Sequence, residues 1–134
     1  MLQQKRMAAV SRVLMRGVAA LLVVALLVQF FIAGMAALSH PEWWAYHQTW
    51  VGYFQWLVVP LPLLAWLAGP PRPLRVTLAC LPLVQIGLQY VLAHRAIEGR
   101  LSFGLGLHAV NAAVMLVVVV VLAGACSGES PLRT

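Results

Sequence analysis

The chain has 134 residues, of which 63% are hydrophobic and 9% are charged, and its formal net charge is +6. A soluble globular domain carries about 25% charged residues and is less apolar, so this composition excludes such a domain and indicates a membrane protein. The positive charge does not point to nucleic acid as a partner, because the basic residues flank apolar runs, where they determine membrane topology.

Four apolar segments follow a basic arm at residues 1–16. The predicted transmembrane spans are residues 17–39, 48–69, 76–93 and 105–126, and a polar tail follows at residues 127–134. Each segment is close to the roughly 20 residues that a helix needs to cross a bilayer. A cleaved signal peptide is disfavoured, because the first run is longer than the roughly 7–15 residues of a signal core. The prolines at positions 60, 62 and 82 predict kinks in the second and third spans.

The basic residues also predict the orientation. Of the nine lysines and arginines, all but Arg95 and Arg100 fall on one side of the four predicted spans. The positive-inside rule therefore predicts that both termini are cytoplasmic. Short connections make neighbouring helices antiparallel, so the expected fold is all-α, an up-down-up-down four-helix bundle within the membrane.

The histidines suggest a site. In this topology all four histidines fall on the outer side: His40, His47, His94 and His108. His47 and His108 lie near the outer ends of the second and fourth spans, which run parallel and sit diagonally in a square bundle. Ionisable residues within spans usually face the bundle interior. Two imidazoles that face each other across a bundle are the arrangement that ligates a six-coordinate haem, so we expect haem b between His47 and His108.

Three further residues extend the expected haem site. Asn111 follows His108 by three positions and shares its helical face. Arg95 and Arg100 lie in the outer loop, where arginine could pair with the haem propionates. For either arginine alone, a solvated loop charge is the simpler interpretation.

Three glutamines interrupt the apolar spans at Gln29, Gln85 and Gln89. The favoured interpretation is that their amides form hydrogen bonds between helices, a common use of amides in membranes. Alternatively, they orient a histidine ligand or contact a quinone head group.

No catalytic set is apparent, so we lean towards a protein that is not an enzyme. The three acids, Glu42, Glu98 and Glu129, all lie outside the predicted spans. The chain contains no nucleophile motif, phosphate loop or HExxH pattern. Cys80 and Cys126 are not at metal-binding spacing and are expected to be small buried residues.

Four short motifs carry a resemblance to known proteins: VQFFIAG, YHQTWVGYF, LVQIGLQ and GLHAVNAAVML, spread over residues 29–116. They resemble a family of small bacterial four-helix membrane proteins of unknown function and, more distantly, one half of haem A synthase. The resemblance implies a bacterial inner-membrane protein with His47 and His108 as haem ligands on the outer side. Gly52 departs from the pattern, since it follows His47 by five positions instead of four. Glu42 is the only acid near the second span, which puts a synthase activity in doubt.

The leading hypothesis is therefore a small multi-pass haem b protein that serves in electron transfer or haem handling. The alternative is a non-enzymatic structural or assembly subunit of a larger membrane complex, whose histidines are merely interfacial. A small transporter or quinone-site protein ranks third, because the spans contain no acid that could couple ion movement.

Overall fold

The computed structural model describes residues 1–70 and 72–125, and these residues form helices and short connections without strands. The elements are α1 (Leu2–Leu38), α2 (Trp43–Phe54), a 3₁₀ turn (Gln55–Val58), α3 (Pro60–Leu67), α4 (Pro73–Ile97) and α5 (Gly104–Ala125). Cys126 and the predicted polar tail at residues 127–134 lie outside the described residues.

The structure confirms four helical segments that are long and apolar enough to cross a membrane. They are Leu2–Leu38, Trp43–Leu67, Pro73–Ile97 and Gly104–Ala125, the second of which combines α2, the 3₁₀ turn and α3. Helices are expected here because a backbone in lipid must satisfy its own hydrogen bonds within each segment.

Helix α1 begins much earlier than the predicted first span. The basic arm and the span form one continuous helix of 37 residues, because no proline or turn separates them. At 1.5 Å per residue such a helix is about 55 Å long, which exceeds the roughly 30 Å hydrocarbon core of a bilayer. The second span also begins earlier, at Trp43, so that His47 lies within α2 and not at its first residue.

The predicted break in the second span occurs just before Pro60. Proline has no N–H group, so Pro60 cannot donate to the carbonyl of Trp56, four positions earlier. The N–H of Val59 donates to that carbonyl instead, at 3.3 Å, and the chain tightens into the 3₁₀ turn. Pro82, in contrast, is accommodated inside the continuous helix α4.

The four spans form a closed ring of neighbours. Helix α1 packs against the second span and α5, and helix α4 packs against α3 and α5. The second span and α5 are therefore diagonal to each other, as are α1 and α4. Within the described residues, the backbone of α2 approaches that of α1 closely but not those of α4 or α5.

Three buried glutamines share one end of the otherwise mainly apolar interior. The largest fully buried apolar side chains are Met15, Leu22, Leu26, Leu61, Met115 and Leu122. Gln29, Gln85 and Gln89 are also buried, but at the end that carries His47 and His108. We call this end the histidine end, and the opposite end, where Arg12 and Arg75 contact the chain after α3, the arginine end.

At the arginine end, two guanidinium groups satisfy carbonyls that the end of α3 leaves free. Arg12 of α1 donates from Nη1 to the oxygen of Ala68 at 2.7 Å. Arg75 of α4 donates from Nη2 to the oxygens of Gly69 at 3.2 Å and Pro70 at 2.9 Å. Gly69 has a φ of +117°, a conformation that favours glycine. The turn therefore holds α1, α3 and α4 together.

Candidate functional site

The structure brings the two predicted imidazoles together across the bundle. The ring centroids of His47 on α2 and His108 on α5 are 6.2 Å apart, and the ring planes are inclined by 47°. Both residues are half-buried. Helices α2 and α5 are diagonal in the bundle, and both histidines lie near the N-terminal ends of their helices. The two rings therefore meet across the bundle interior at the same level.

A backbone carbonyl of α4 fixes the tautomer of His108. Nδ1 of His108 lies 3.2 Å from the carbonyl oxygen of Gln89. A carbonyl oxygen only accepts hydrogen bonds, so Nδ1 must carry the hydrogen. In the neutral ring, Nε2 of His108 therefore has its lone pair available.

Helix α1 holds the other imidazole through Gln29. Nε2 of Gln29 donates to Nδ1 of His47 at 2.8 Å and also to the carbonyl oxygen of His47 at 3.3 Å. In this arrangement the hydrogen of a neutral His47 ring is on its Nε2. A half-turn of the Gln29 amide would bring Oε1 to Nδ1, and the ring would then take the other tautomer.

The Nε2 atoms of the two rings are the unengaged parts of the pair. Neither accepts nor donates a hydrogen bond within the described part of the chain, whereas both Nδ1 atoms are engaged. The ring of Trp44 packs edge-on against His47, with ring centroids 5.3 Å apart. Each imidazole is thus anchored through Nδ1. The unengaged Nε2 of His108 has a lone pair, whereas the unengaged Nε2 of His47 carries the hydrogen in this arrangement.

Polar groups of α4 line the site beside His108. The amide nitrogen of Asn111 donates to the carbonyl oxygen of Gln85 at 2.9 Å, so this predicted site residue joins α5 to α4. The side chains of Gln85 and Gln89 are 7% and 8% exposed, and their Oε1 atoms have no hydrogen-bond partner among the described residues. The hydrogen bonds between α4 and α5 at these positions therefore use the backbone carbonyls of α4. The sequence-based interpretation had favoured the side-chain amides of the two glutamines.

The buried amide of Gln29 does bridge helices, which agrees with the favoured interpretation of this residue. Its Oε1 atom has no partner among the described residues either.

The two predicted propionate ligands each lie beside an acidic side chain. Arg95 and Arg100 are exposed and lie 3.6 Å and 3.4 Å from the carboxylate of Glu98. His40 and His94 are exposed, in keeping with the interfacial position expected for histidines beside loops.

Two contacts near the site were not predicted. The hydroxyl of Tyr90 on α4 donates to Oε1 of Gln55 in the 3₁₀ turn at 2.8 Å. The indole N–H of Trp50 donates to the carbonyl oxygen of Ala25 at 2.9 Å and ties α2 to α1. The sequence shows that these apolar spans contain side chains able to form hydrogen bonds, but it does not identify the partners of those side chains.

The residues offer few metal ligands other than the two imidazoles. No group of three or more histidines, cysteines or acids that could hold a metal ion occurs in residues 1–70 and 72–125. A metal at this site would need most of its ligands from another source.

Comparison with known proteins gave one match. A family model described as a family of unknown function, DUF6220, matches residues 29–97, just over half of the chain. The match includes Gln29, His47, Gln85 and Gln89 and ends before His108. No curated protein and no solved structure matches the chain. The comparisons thus agree with the expected uncharacterised family, but they show no resemblance to haem A synthase.

Proposed function

The chain belongs to this family of unknown function, DUF6220, and we propose that it is a membrane protein that binds haem b between His47 and His108. The observation that carries the proposal is the 6.2 Å separation of the two ring centroids. Imidazoles on opposite sides of one metal ion, with nitrogen–metal bonds of about 2 Å, have their centroids roughly 6 Å apart.

The residues present fit this cofactor. Haem supplies four nitrogens to its iron, so two protein ligands suffice, and the described residues offer two histidines without a third ligand nearby. The 47° between the ring planes would not prevent both imidazoles from holding the haem, because each ring could rotate about its bond to the metal.

The hydrogen bonds at Nδ1 define what the protein would contribute. His108 donates from Nδ1 to Gln89 and keeps the lone pair of Nε2 for the iron. His47 would do the same once the Gln29 amide has turned so that Oε1 accepts from Nδ1, a turn that gives up the hydrogen bond from Gln29 Nε2 to the carbonyl oxygen of His47. Such partners orient a histidine ligand and raise its basicity. Haem bound in this way would supply reversible one-electron chemistry, which suits electron transfer or haem handling.

The distribution of charge supports an orientation in the membrane. Four basic residues occur in the N-terminal half of α1: Lys5, Arg6, Arg12 and Arg16. Arg72 and Arg75 are at the same arginine end, and Arg95 and Arg100 are at the histidine end. We infer an up-down-up-down bundle with both termini in the cytoplasm and the imidazoles near the outer face of a bacterial inner membrane.

This orientation gives the remaining predicted residues a role at the outer face. Arg95 and Arg100 would exchange Glu98 for the haem propionates, because guanidinium groups match carboxylates well. Asn111 would support the site by fixing α5 to α4 one turn deeper than His108.

The haem content of the purified protein tests the proposal. Cells should express the chain with haem supply in excess, and the protein should be assayed as its pyridine haemochrome. We expect one haem b for each chain. A colourless protein would overturn the proposal, and a colourless protein that co-purifies with a fixed partner would support a structural or assembly subunit instead.

A further inference from the structure

The first turns of α1 continue past the turn that follows α3. A Cβ atom at Gly69 would lie 3.9 Å from Cβ of Ala8, so this part of α1 is level with that turn. The turn connects two spans and therefore lies at the boundary of the membrane. From Val10 back to Gln3 the helix covers roughly 10 Å, at 1.5 Å per residue. This length matches the headgroup layer on one side of a bilayer, which is about 5–8 Å thick.

An open groove of about 300 Å³ lies between these turns of α1 and the end of α3. Its walls are almost entirely apolar, and the residues that line it are Gln3, Arg6, Met7, Val10, Ser11 and Leu67. Arg6 is exposed, so its aliphatic stem contributes to the wall while its guanidinium can reach the headgroup layer. The groove therefore fits a ligand that joins an apolar chain to an anion.

The charge around the groove has one sign. The basic residues at the arginine end are Lys5, Arg6, Arg12, Arg16, Arg72 and Arg75. Both acids of the described residues are at the histidine end, where Glu42 lies 3.4 Å from His40 and Glu98 pairs with two arginines of the outer loop. Glu129 is outside the described residues. Clusters of about four to eight lysines and arginines at a membrane boundary attract anionic lipids.

The groove and the charge together narrow the class of ligand. An acidic soluble protein or free phosphate would use the basic residues but not the apolar groove. A zwitterionic lipid would fill the groove, but its headgroup has no net charge for the basic residues to attract. A lipid with a net negative headgroup uses both features.

We propose that the arginine end binds an anionic phospholipid, with an acyl chain in the groove along Met7, Val10 and Leu67 and the phosphate beside the guanidinium of Arg6. Lys5 adds a second positive charge next to it in the sequence. This site goes beyond the proposed haem function. It is at the opposite end of the bundle from the imidazoles and does not depend on haem being bound.

The test compares two lipids that differ only in their headgroups. Wild-type protein in an uncharged detergent is titrated with phosphatidylglycerol and with phosphatidylcholine of the same acyl chains, and the thermal unfolding midpoint is followed. A ligand that binds the folded state raises this midpoint in a saturable way. We expect phosphatidylglycerol to bind at least about fivefold more tightly, the contribution of one basic residue near an anionic headgroup. Glycerol phosphate, which has no acyl chain, should give no shift at the same concentrations.

Paired variants locate the charge that the lipid uses. Arg6→Gln should lower the affinity for phosphatidylglycerol about fivefold and leave that for phosphatidylcholine unchanged. Arg16→Gln removes an equal charge about 15 Å further along α1, at a position outside the groove, and should preserve the preference. This distance exceeds the Debye length of about 8 Å at physiological salt.

A second pair of variants tests the groove itself. Val10→Asn places a polar amide in the groove and should weaken the binding of both lipids. Val13→Asn, at a residue of the same helix that does not line the groove, should weaken neither. Both valines are exposed, so neither substitution disturbs the core. If a variant nevertheless fails to fold, the comparison of the two lipids on the wild type still decides the question.

Three results would overturn the proposal. Equal binding of the two lipids by the wild type would leave the basic residues with membrane topology as their role. A shift with glycerol phosphate equal to that with phosphatidylglycerol would make the arginine end a site for soluble anions. Equal losses in Arg6→Gln and Arg16→Gln would assign the attraction to total charge and not to the groove.

This proposal and the haem proposal can fail separately. A colourless protein that prefers phosphatidylglycerol would refute haem binding and keep the lipid site. A pigmented protein without that preference would do the reverse.

Discussion

The side-chain amide of Gln29 lies 2.8 Å from Nδ1 of His47 and links α1 to α2. Gln29 is buried, with 8% of its surface exposed, so this contact is shielded from competing water. Helix α1 therefore sets the orientation of an imidazole that α2 carries. On the opposite side of the site, the carbonyl oxygen of Gln89 does the same for His108.

Substitutions of Gln29 should alter haem binding through His47. Gln29→Leu removes the partner of Nδ1, and loss of such a partner weakens metal sites about 10- to 100-fold, so haem affinity should fall by this factor. Gln29→Glu retains an acceptor for Nδ1–H and should retain haem, but with a lower midpoint potential, because the ligand becomes more electron-rich. Haem titration and a spectroscopic redox titration measure the two effects.

The matched control is Gln48→Leu, at an exposed glutamine next to His47 in the sequence. It should change neither the affinity nor the potential. Wild-type behaviour of both Gln29 variants would show that Gln29 does not position the imidazole.

A second prediction concerns the close approach of α4 and α5. A Cβ atom at Gly104 would lie 2.9 Å from the carbonyl oxygen of Leu92 and 2.9 Å from Cβ of Ala96. Because backbone atoms cannot move aside cheaply, Gly104→Ala should lower the free energy of unfolding by about 1–3 kcal/mol. Unfolding in detergent followed by circular dichroism measures this change.

Gly106 provides a control in the same helix. A Cβ atom there would meet nothing within 4 Å, so Gly106→Ala should stabilise the protein by up to about 1 kcal/mol through the better helix propensity of alanine. If the two alanine variants shift stability in the same direction, the packing of α4 on α5 at Gly104 differs from the one described.

The arginine end gives a third prediction. Arg12 donates to the carbonyl oxygen of Ala68 at 2.7 Å, and hydrogen bonds from charged groups contribute about 1.5–3 kcal/mol. Arg12→Met should therefore destabilise the fold by this amount. Arg16→Met, at an exposed position of the same helix, should change the free energy of unfolding by no more than about 0.5 kcal/mol. Equal effects of the two variants would assign the loss to charge instead of to the contact with Ala68.

The main features of the fold could be predicted from the sequence because they depend on long-range patterns. Apolar runs of membrane length gave the four spans, and the missing N–H of Pro60 gave the break in the second span. The predicted span begins at residue 17, whereas helix α1 already begins at Leu2, since the basic arm contains no residue that ends a helix. The basic residues of the arm indicated where the first apolar run begins, but they gave no information on where helix α1 begins.

The site was only partly predictable, for a different physical reason. Side chains such as His47 and His108 are visible in the sequence, but the carbonyl of Gln89 that orients His108 is a backbone group that every residue has. The ion pair between Arg95 and Glu98 could have been predicted from their spacing of three residues, since such neighbours share a helical face. The partner of Gln29 depended on the relative height of α1 and α2, which apolar patterns do not determine.

The central claim is that His47 and His108 ligate one haem iron, and the reduced-minus-oxidised absorption spectrum tests it most directly. The wild type should give a b-type difference band, which His47→Ala and His108→Ala should each remove. His94→Ala, at an exposed histidine that binds only the Tyr90 carbonyl of its own helix within the described residues, should preserve it. A spectrum without this band in the wild type, or an unchanged band in both site variants, would contradict the claim.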